Sequence, residues 1–389
     1  MRVLFLHNRY QIRGGEDITL ETEMRLLRES GHEVDLYEET NLDIESLASK
    51  ISTALSVHYN HEQKQKVAAR IREFRPDIVH AHNLFPKITV AAYDACIEEK
   101  VPVVQTMHNY RAICANGLLL RNGTPCEKCV SGSPFHALAY RCYKNSRIGS
   151  AAVARMVAYQ RRSQVWNKKV NAIVAITPFA KQKFVAAGIS EKKIIVKPNP
   201  TEDYLQDFQQ IPKDNFVLFV GRLSEEKGIL SLVKAWRNMP LPLKILGAGP
   251  LEGALRDVAS DQVHFVETKS RQEVLSSIRQ ATALILPTVC YEGGFPMVLA
   301  EALCLETPVI ASQIGGIPDY LEHGKNGFLL PPGDFSGLAE RLDLLLKNPA
   351  LRSEIAAAGR NVYEEHFHPR HHLQNIMEIY QTVITKSSG

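Results

Sequence analysis

Tyr291-Glu-Gly-Gly-Phe-Pro-Met-Val-Leu-Ala-Glu301, running on through Ala-Leu-Cys-Leu-Glu-Thr-Pro-Val-Ile-Ala-Ser to Ile314-Gly-Gly-Ile-Pro, decides how the chain is read. Two carboxylates, Glu292 and Glu301, flank the glycine pair Gly293 and Gly294, and Pro296 stands where a helix is expected to begin. Proline suits the first helical position because its missing N–H would lack a partner there anyway. The residues just before it, Gly293 to Phe295, then offer backbone amides at the positive end of a helix dipole, which suits an anion or a group of hydroxyls. Glu301 falls one turn further on, in reach of a vicinal diol such as a ribose.

Outward from this stretch the chain alternates short apolar runs with helical patterns. Arg2-Val-Leu-Phe-Leu is a strand fit for burial on both faces, followed by a polar loop, a helix with Leu20, Met24 and Leu27 on one face, a stop at Gly31, and a second strand from Glu33. That order is a parallel βαβ unit. Further strands end at Ile78-Val-His-Ala-His, at Val103-Val-Gln-Thr-Met-His and at Ala172-Ile-Val-Ala. The second half opens the same way, with Phe216-Val-Leu-Phe-Val, a loop from Gly221 to Gly228 and an amphipathic helix. Leu243, His264, Ala283, Val309 and Gly327 begin the later strands. The expected fold class is α/β, two doubly wound Rossmann-like domains facing across a cleft. The expected boundaries are 1–200, with a cysteine-containing insertion at about 111–147, then 201–368, then a final helix over 369–389. Prolines near Lys197-Pro-Asn-Pro-Thr place the linker around 198–212.

The 389 residues fit two or three domains at about 150 each. With 45% hydrophobic and 23% charged residues the composition is that of an ordinary globular protein. A formal charge of +4 is too small to point to nucleic acid as partner. Met1-Arg-Val-Leu-Phe-Leu-His-Asn turns polar before a signal sequence or membrane helix is complete, so a cytoplasmic location is expected, with peripheral contact at the membrane face left open.

The segment 291–318, together with Gly221-Arg-Leu-Ser-Glu-Glu-Lys-Gly228, resembles the signature of the retaining glycosyltransferase family 4 of the GT-B fold. The resemblance covers nearly the whole chain. It implies a sugar moved from a nucleotide-diphosphate donor to a sugar or lipid-linked hydroxyl acceptor, in polysaccharide, cell-envelope or glycolipid synthesis, with a last helix that returns to the first domain. It assigns the donor sugar to Glu292, the ribose to Glu301 and the diphosphate to Arg222 and Lys227. Eight residues separate Glu292 from Glu301, where the family usually has seven. The physics supports the basic pair, since a departing nucleoside diphosphate gains negative charge that a planar guanidinium and a mobile ammonium can meet. Gly14 and Gly15, in the first strand-to-helix loop, match a family loop against the diphosphate, with Glu16 serving the acceptor or the helix start. Gly249, in Gly247-Ala-Gly-Pro250, matches a loop beneath the nucleotide. The family also places His108 near the anomeric carbon. The site residues implied are thus His108, Arg222, Lys227 and Glu292 for catalysis, and Gly14, Gly15, Arg222, Lys227, Gly249, Glu292, Gly293, Gly294, Phe295, Pro296 and Glu301 for the donor. No Asp-x-Asp pair occurs, so no metal is expected to serve catalysis.

His80 and His82 form a His-Ala-His pair expected to point to opposite faces of a strand, which argues against a shared metal. Four of the seven cysteines lie close in sequence, Cys114, Cys126, Cys129 and Cys142, and the Cys-x-x-Cys at 126–129 suits a structural zinc held by four thiolates, or else a set of packed thiols. Cys96, Cys290 and Cys304 read as core residues. Ser146 to Lys169 reads as a basic amphipathic helix, either a solvated face or a membrane-surface element. Two rival functions remain: a sugar-nucleotide epimerase on the same architecture, and a non-enzymatic zinc-containing interaction protein.

Overall fold

A computed structural model describes residues 1–11, 14–267, 270–293 and 295–388. By contacts the chain divides into two compact units, one of residues 1–119, 126–200 and 372 onward, the other of residues 120–125 and 201–371.

The first unit holds a six-stranded sheet of β1 (Arg2–Arg9), β2 (Glu33–Thr40), β3 (Ile78–Ala81), β4 (Val103–Met107), β7 (Ala172–Ala175) and β8 (Ile194–Val196), in the order β2-β1-β3-β4-β7-β8. A small antiparallel hairpin, β5 (Leu120–Arg121) and β6 (Thr124–Pro125), interrupts the series. All pairs in the six-stranded sheet are parallel. The interior strands β3, β4 and β7 are buried along their whole length, as expected of apolar runs covered by helices on both faces. Leu20, Met24 and Leu27 do share a buried face on the helix Gly15–Glu29, and Gly31, at φ +81°, follows its end. The final helix, Pro369–Ser388, joins this unit's core: Ile376, Ile379, Tyr380 and Val383 pack with Val3, Phe5 and Ile78.

The second unit holds β9 (Val217–Val220), β10 (Leu243–Leu246), β11 (Val263–Val266), β12 (Ala283–Leu286), β13 (Val309–Ser312) and β14 (Phe328–Leu330), again all parallel, in the order β11-β10-β9-β12-β13-β14. Successive residues of β9 serve opposite cores, with Val217 and Phe219 on one face and Leu218 on the other. Within the stretch expected as a linker, Leu205–Phe208 forms a short helix whose Phe208 enters one of these cores.

Pro296 is displaced by one position from the expectation. It is the N-cap of the helix Met297–Cys304 rather than its first residue, because its ψ of 113° is extended while its φ of −63° is the proline value.

Two glycines let the loops at the carboxyl ends of the second sheet touch backbone to backbone. Gly228 sits at φ +66°, and a Cβ there would lie 2.0 Å from the Pro287 carbonyl oxygen. A Cβ on Gly249 would lie 2.4 Å from the Leu223 oxygen. Gly228→Ala should therefore lower the urea midpoint by an amount worth about 2 kcal/mol or more, combining left-handed strain with a clash. Gly253→Ala, with open space around it, should be neutral or stabilise by up to about 1 kcal/mol. Equal midpoints for the two variants would contradict the close-approach account.

Candidate active site

In the second sheet the strand order reverses between β9 and β12, so the loops leaving those strands form a crevice at their carboxyl ends, where open parallel sheets bind ligands. These loops are the stretches 221–228 and 287–296. They are tied together by the Glu226 carbonyl, which accepts from Val289 N at 3.0 Å and from Thr288 Oγ1 at 2.9 Å. Lys227 ends a short 3-10 turn, and its ammonium donates to both oxygens of Glu292 at 2.7 Å. Burial disfavours the ammonium, but Glu292 outweighs it and the Lys227 pKa is raised. Glu292 itself has φ +43°, a left-handed conformation that costs a non-glycine residue about 1–3 kcal/mol and is found at functional sites. Arg222 is exposed, and its guanidinium makes no hydrogen bond or ion pair with a described residue. The loop bearing Gly249 lies under the Arg222 loop, with Leu223 N donating to Ala248 O at 3.0 Å.

Glu301, on the helix Met297–Cys304, is only 2% exposed and forms an ion pair with Arg271. Burial pushes its carboxyl above the ordinary range even against that charge. Arg271 was not foreseen from sequence; thirty positions from Glu301, it belongs to no local motif. Gly293 and Pro296 are buried, and Gly294 lies outside the described residues. The ring of Phe295 is a core element, stacked on Phe367 at 4.8 Å and edge-on to Tyr320 at 4.9 Å, so only its backbone is left to meet a ligand.

In the first unit, Gly14 caps the helix Gly15–Glu29 and donates its N–H to Asp17 at 2.8 Å; a Cβ on Gly14 would meet nothing within 4 Å, and Gly15 is exposed. Asp17, also missed in the sequence, is buried against His7 Nε2 at 2.9 Å. Burial raises its carboxyl pKa, but the bonds from His7 and the Gly14 amide prevail and lower it. Glu16 Oε1 accepts from Asn109 Nδ2 at 2.7 Å. His108 lies at the carboxyl end of β4, buried, with Nε2 2.9 Å from His82 Nδ1.

The expectation that His80 and His82 face opposite ways is wrong. Residues two apart on a strand share a face, and the ring centroids are 4.4 Å apart. Among the described residues, Glu23, His80 and His82 form the one triad of potential metal ligands within 4.8 Å of one another. Both nitrogens of His80 are already engaged, by Tyr380 OH at 2.7 Å and Thr106 Oγ1 at 2.8 Å. Lys197 at 3.7 Å and His372 at 3.1 Å already stand beside the Glu23 carboxylate. The cluster therefore reads as a self-neutralised buried network, with Glu23 held well below its ordinary pKa: burial opposes this, and Lys197, His80 and His372 overcome it.

None of the four clustered cysteines is in a disulfide, and no three have sulfurs within 4.8 Å of one another. They are near enough that burial first, then Cys114, Cys142 and Cys126, push Cys129 up to about 11. Arg161 clamps the knuckle from beneath, donating to the carbonyls of Val130 at 2.9 Å, Gly132 at 2.7 Å and Cys129. The basic stretch Ser146 to Lys169 is two helices, Arg147–Arg162 and Val165–Lys168. Its apolar side, Val153, Met156, Val157 and Val165, is core, and Lys169 pairs with Asp94. Cys96, Cys290 and Cys304 are buried, as expected.

Residues 13–203 match the family described as Glycosyltransferase Family 4, and residues 201–362 match Glycosyl transferases group 1. The chain belongs to glycosyltransferase family 4. Its similarity to CapM, a capsular polysaccharide biosynthesis glycosyltransferase of Staphylococcus aureus, is 27% identity over 241 residues, 56% of this chain and 63% of that protein. With the O-antigen chain mannosyltransferase C of Escherichia coli it shares 26% identity over 250 residues, 60% of this chain and 66% of that one. Both matches thus span less than two thirds of the relative's length. The family-4 fold is matched by HepE of Anabaena, solved in complex with UDP, at a TM-score of 0.70 and 17% identity, covering 98% of this chain and 100% of that one. This likeness is one of fold, the two Rossmann-like domains of the GT-B type. No helix among the described residues is long and apolar enough to cross a membrane.

Burial holds His108 neutral, down to about 3, and lowers His82 well below its ordinary value. Unfolded histidines protonate near about 6.5. Below that pH the unfolded state binds more protons, so stability is full above it and is lost as pH falls, at about 1.4 kcal/mol per pH unit and histidine. Urea midpoints should fall between pH about 7.5 and about 5.5, and His108→Asn should flatten that slope. An unchanged slope in the variant would remove His108 from the acid-sensitive set.

Proposed function

We propose that the chain is a retaining glycosyltransferase that moves a sugar from a nucleotide-diphosphate donor to a hydroxyl acceptor in polysaccharide, cell-envelope or glycolipid synthesis. The observation that carries this reading is the Lys227–Glu292 ion pair at the switch point of the second sheet. As the glycosidic bond breaks, negative charge grows on the leaving diphosphate. Lys227 and the unengaged Arg222 meet it, each worth a few kcal/mol of barrier by analogy with oxyanion donors. Glu292 takes hydroxyls of the donor sugar. Glu301, buried and aligned by Arg271, takes the ribose diol. Gly249, Gly293, Gly294 and the backbone of Phe295 and Pro296 shape the same donor pocket. In the first unit Gly14, Gly15 and His108 serve the reacting end, His108 as a neutral imidazole that can donate or accept. Retention is what family membership supports. With the leaving charge met by Arg222 and Lys227, and no Asp-x-Asp pair in the sequence, the chemistry is assigned to no metal.

The cysteine knuckle is proposed to hold a structural zinc through Cys114, Cys126, Cys129 and Cys142. Four thiolates would close its coordination and leave no open position for catalysis. The crowding of thiols around Cys129 supports this, although they stand wider than a loaded site. Peripheral membrane contact finds less support in the basic helices than in the helix Leu47–Ser56, where Leu47, Ile51 and Leu55 recur every fourth residue at 75%, 52% and 62% exposure.

UDP, the ligand of the HepE structure, is the first nucleotide to try. Arg222→Ala or Lys227→Ala should cut sugar transfer about a hundredfold or more with an unchanged melting point; near-normal transfer would remove the diphosphate clamp. Elemental analysis should find about one zinc per chain, reduced in Cys126→Ser together with thermal stability. A metal-free wild-type protein would settle the knuckle as packed thiols.

A further inference from the structure

In the second unit two basic side chains hold the turn Leu305-Glu306-Thr307, which follows the helix Met297–Cys304. Lys213 Nζ donates to Thr307 Oγ1 at 2.8 Å, and that hydroxyl gives its own proton to the Ile278 carbonyl at 2.7 Å. Arg279, in the last turn of the helix Arg271–Gln280, donates to Leu305 O at 3.1 Å and to Glu306 Oε2 at 3.2 Å. Its Nε is buried with no hydrogen-bond partner. Arg352, near the start of the helix Pro349–His366, lies close enough to act on Lys213 through its charge. Lys213 is partly buried, and neither it nor Arg352 forms an ion pair with a described carboxylate. Glu306 is engaged by Arg279, and Asp214, next in the chain, stands 3.7 Å from Lys244.

An ammonium is badly placed there. Burial, then the charges of Arg279 and Arg352, push the Lys213 pKa down to about 7 against the opposing pull of Glu306. An ordinary lysine at pH about 7.5 is free amine in only about one molecule in a thousand. Here the amine, with its lone pair available as a nucleophile, is the major form above neutral pH. Losing the proton ends the repulsion from the two guanidiniums. Gaining a negative charge on the same side chain would go further and make both of them attractive partners. The reagent that does this must be small enough to reach a partly buried amine, uncharged so that it enters without losing a hydration shell, and anionic once bonded. Carbon dioxide meets all three conditions.

We propose that Lys213 is a carbon dioxide-binding residue, its Nζ carboxylated to a carbamate that Arg279 and Arg352 neutralise. The nitrogen lone pair forms the new C–N bond, one C–O π pair of carbon dioxide moves onto oxygen, and the proton leaving nitrogen goes to solvent. Nothing is oxidised or reduced. A carbamate nitrogen keeps one N–H, which the bond to Thr307 Oγ1 requires. Two arginines then face two anions, Glu306 and the carbamate, and the cluster is neutral. The helices Arg271–Gln280 and Met297–Cys304, tied together at this turn, are the same two that bring Arg271 to Glu301. The modification thus braces the support of that buried pair. The assignment does not depend on the transferase reading.

The full chain, held at pH about 7.5 in ¹³C-bicarbonate as the source of carbon dioxide, is treated with triethyloxonium to trap carbamates as ethyl esters, and its peptides are read by mass spectrometry. Label should concentrate on Lys213, well above exposed lysines such as Lys325 and Lys347. Arg352→Gln, which leaves the bond to Thr307 in place, should cut the labelled fraction about tenfold by removing one counter-charge. Lys213→Met should abolish the label. It should also cancel the rise in melting temperature that bicarbonate, but not chloride at equal ionic strength, gives the wild type. Absence of label on Lys213, label no greater than on the exposed lysines, or an unchanged fraction in Arg352→Gln overturns the proposal. Should Lys213→Met fail to fold, the comparison of wild type with Arg352→Gln decides alone.

Discussion

A lysine held by a carboxylate at the point where strand order reverses is the constraint on which the rest of the second unit depends. To bring Lys227 within 2.7 Å of both oxygens of Glu292, the loop after β9 must lie against the loop after β12. Only a residue without a Cβ permits that approach at position 228. Glu292 must in turn accept a left-handed backbone. An ion pair at such partial burial gains little net stability, since desolvation offsets much of the attraction. Strain and tight packing arranged around a pair of small net worth are better explained by a ligand than by folding. A diphosphate entering beside Arg222 would compete with Glu292 for the same ammonium, leaving the carboxylate for sugar hydroxyls.

The first unit is organised by a different electrostatic device. Glu23, Lys197, His80 and His372 come from the first helix, the end of β8, β3 and the last helix, and together neutralise one buried carboxylate. Breaking such a group by removing one partner leaves a buried charge alone, which costs about 3–5 kcal/mol. The network therefore ties the C-terminal helix to the sheet as firmly as the apolar contacts of Ile376, Ile379 and Tyr380 do. Its outer neighbour, His82, carries the order on to His108 through a single hydrogen bond. Rigid support beneath His108 is the arrangement expected where a small ligand is to be oriented.

Much of the architecture was legible because parallel sheets leave a plain trace, short apolar runs spaced by helical patterns, and both halves carry it. The strand ends at Ala81, Met107, Val220 and Leu286 all fall within a residue or two of the sequence expectation. Gly221 to Gly228 and Glu292 to Glu301 were legible as local motifs. Contacts spanning tens or hundreds of positions were not: Arg271 on Glu301, or His372 on Glu23, leave no local pattern. The two errors of detail have simple causes. A strand's period of two puts His80 and His82 on one face, and a proline at a helix start fits the cap as well as the first turn. The basic character of 146–169 is partly spent within the protein, since Arg161 donates to the carbonyls of the cysteine knuckle.

The central claim is that the Lys227 ammonium, now held by Glu292, is the counter-charge for the leaving diphosphate. Calorimetric titration of UDP into Glu292→Gln and wild-type protein tests it most directly. Freeing the lysine should tighten UDP about tenfold, the worth of a charge-assisted hydrogen bond, while sugar transfer is lost. Equal UDP affinity in the two proteins, or weaker binding in the variant, would contradict the account.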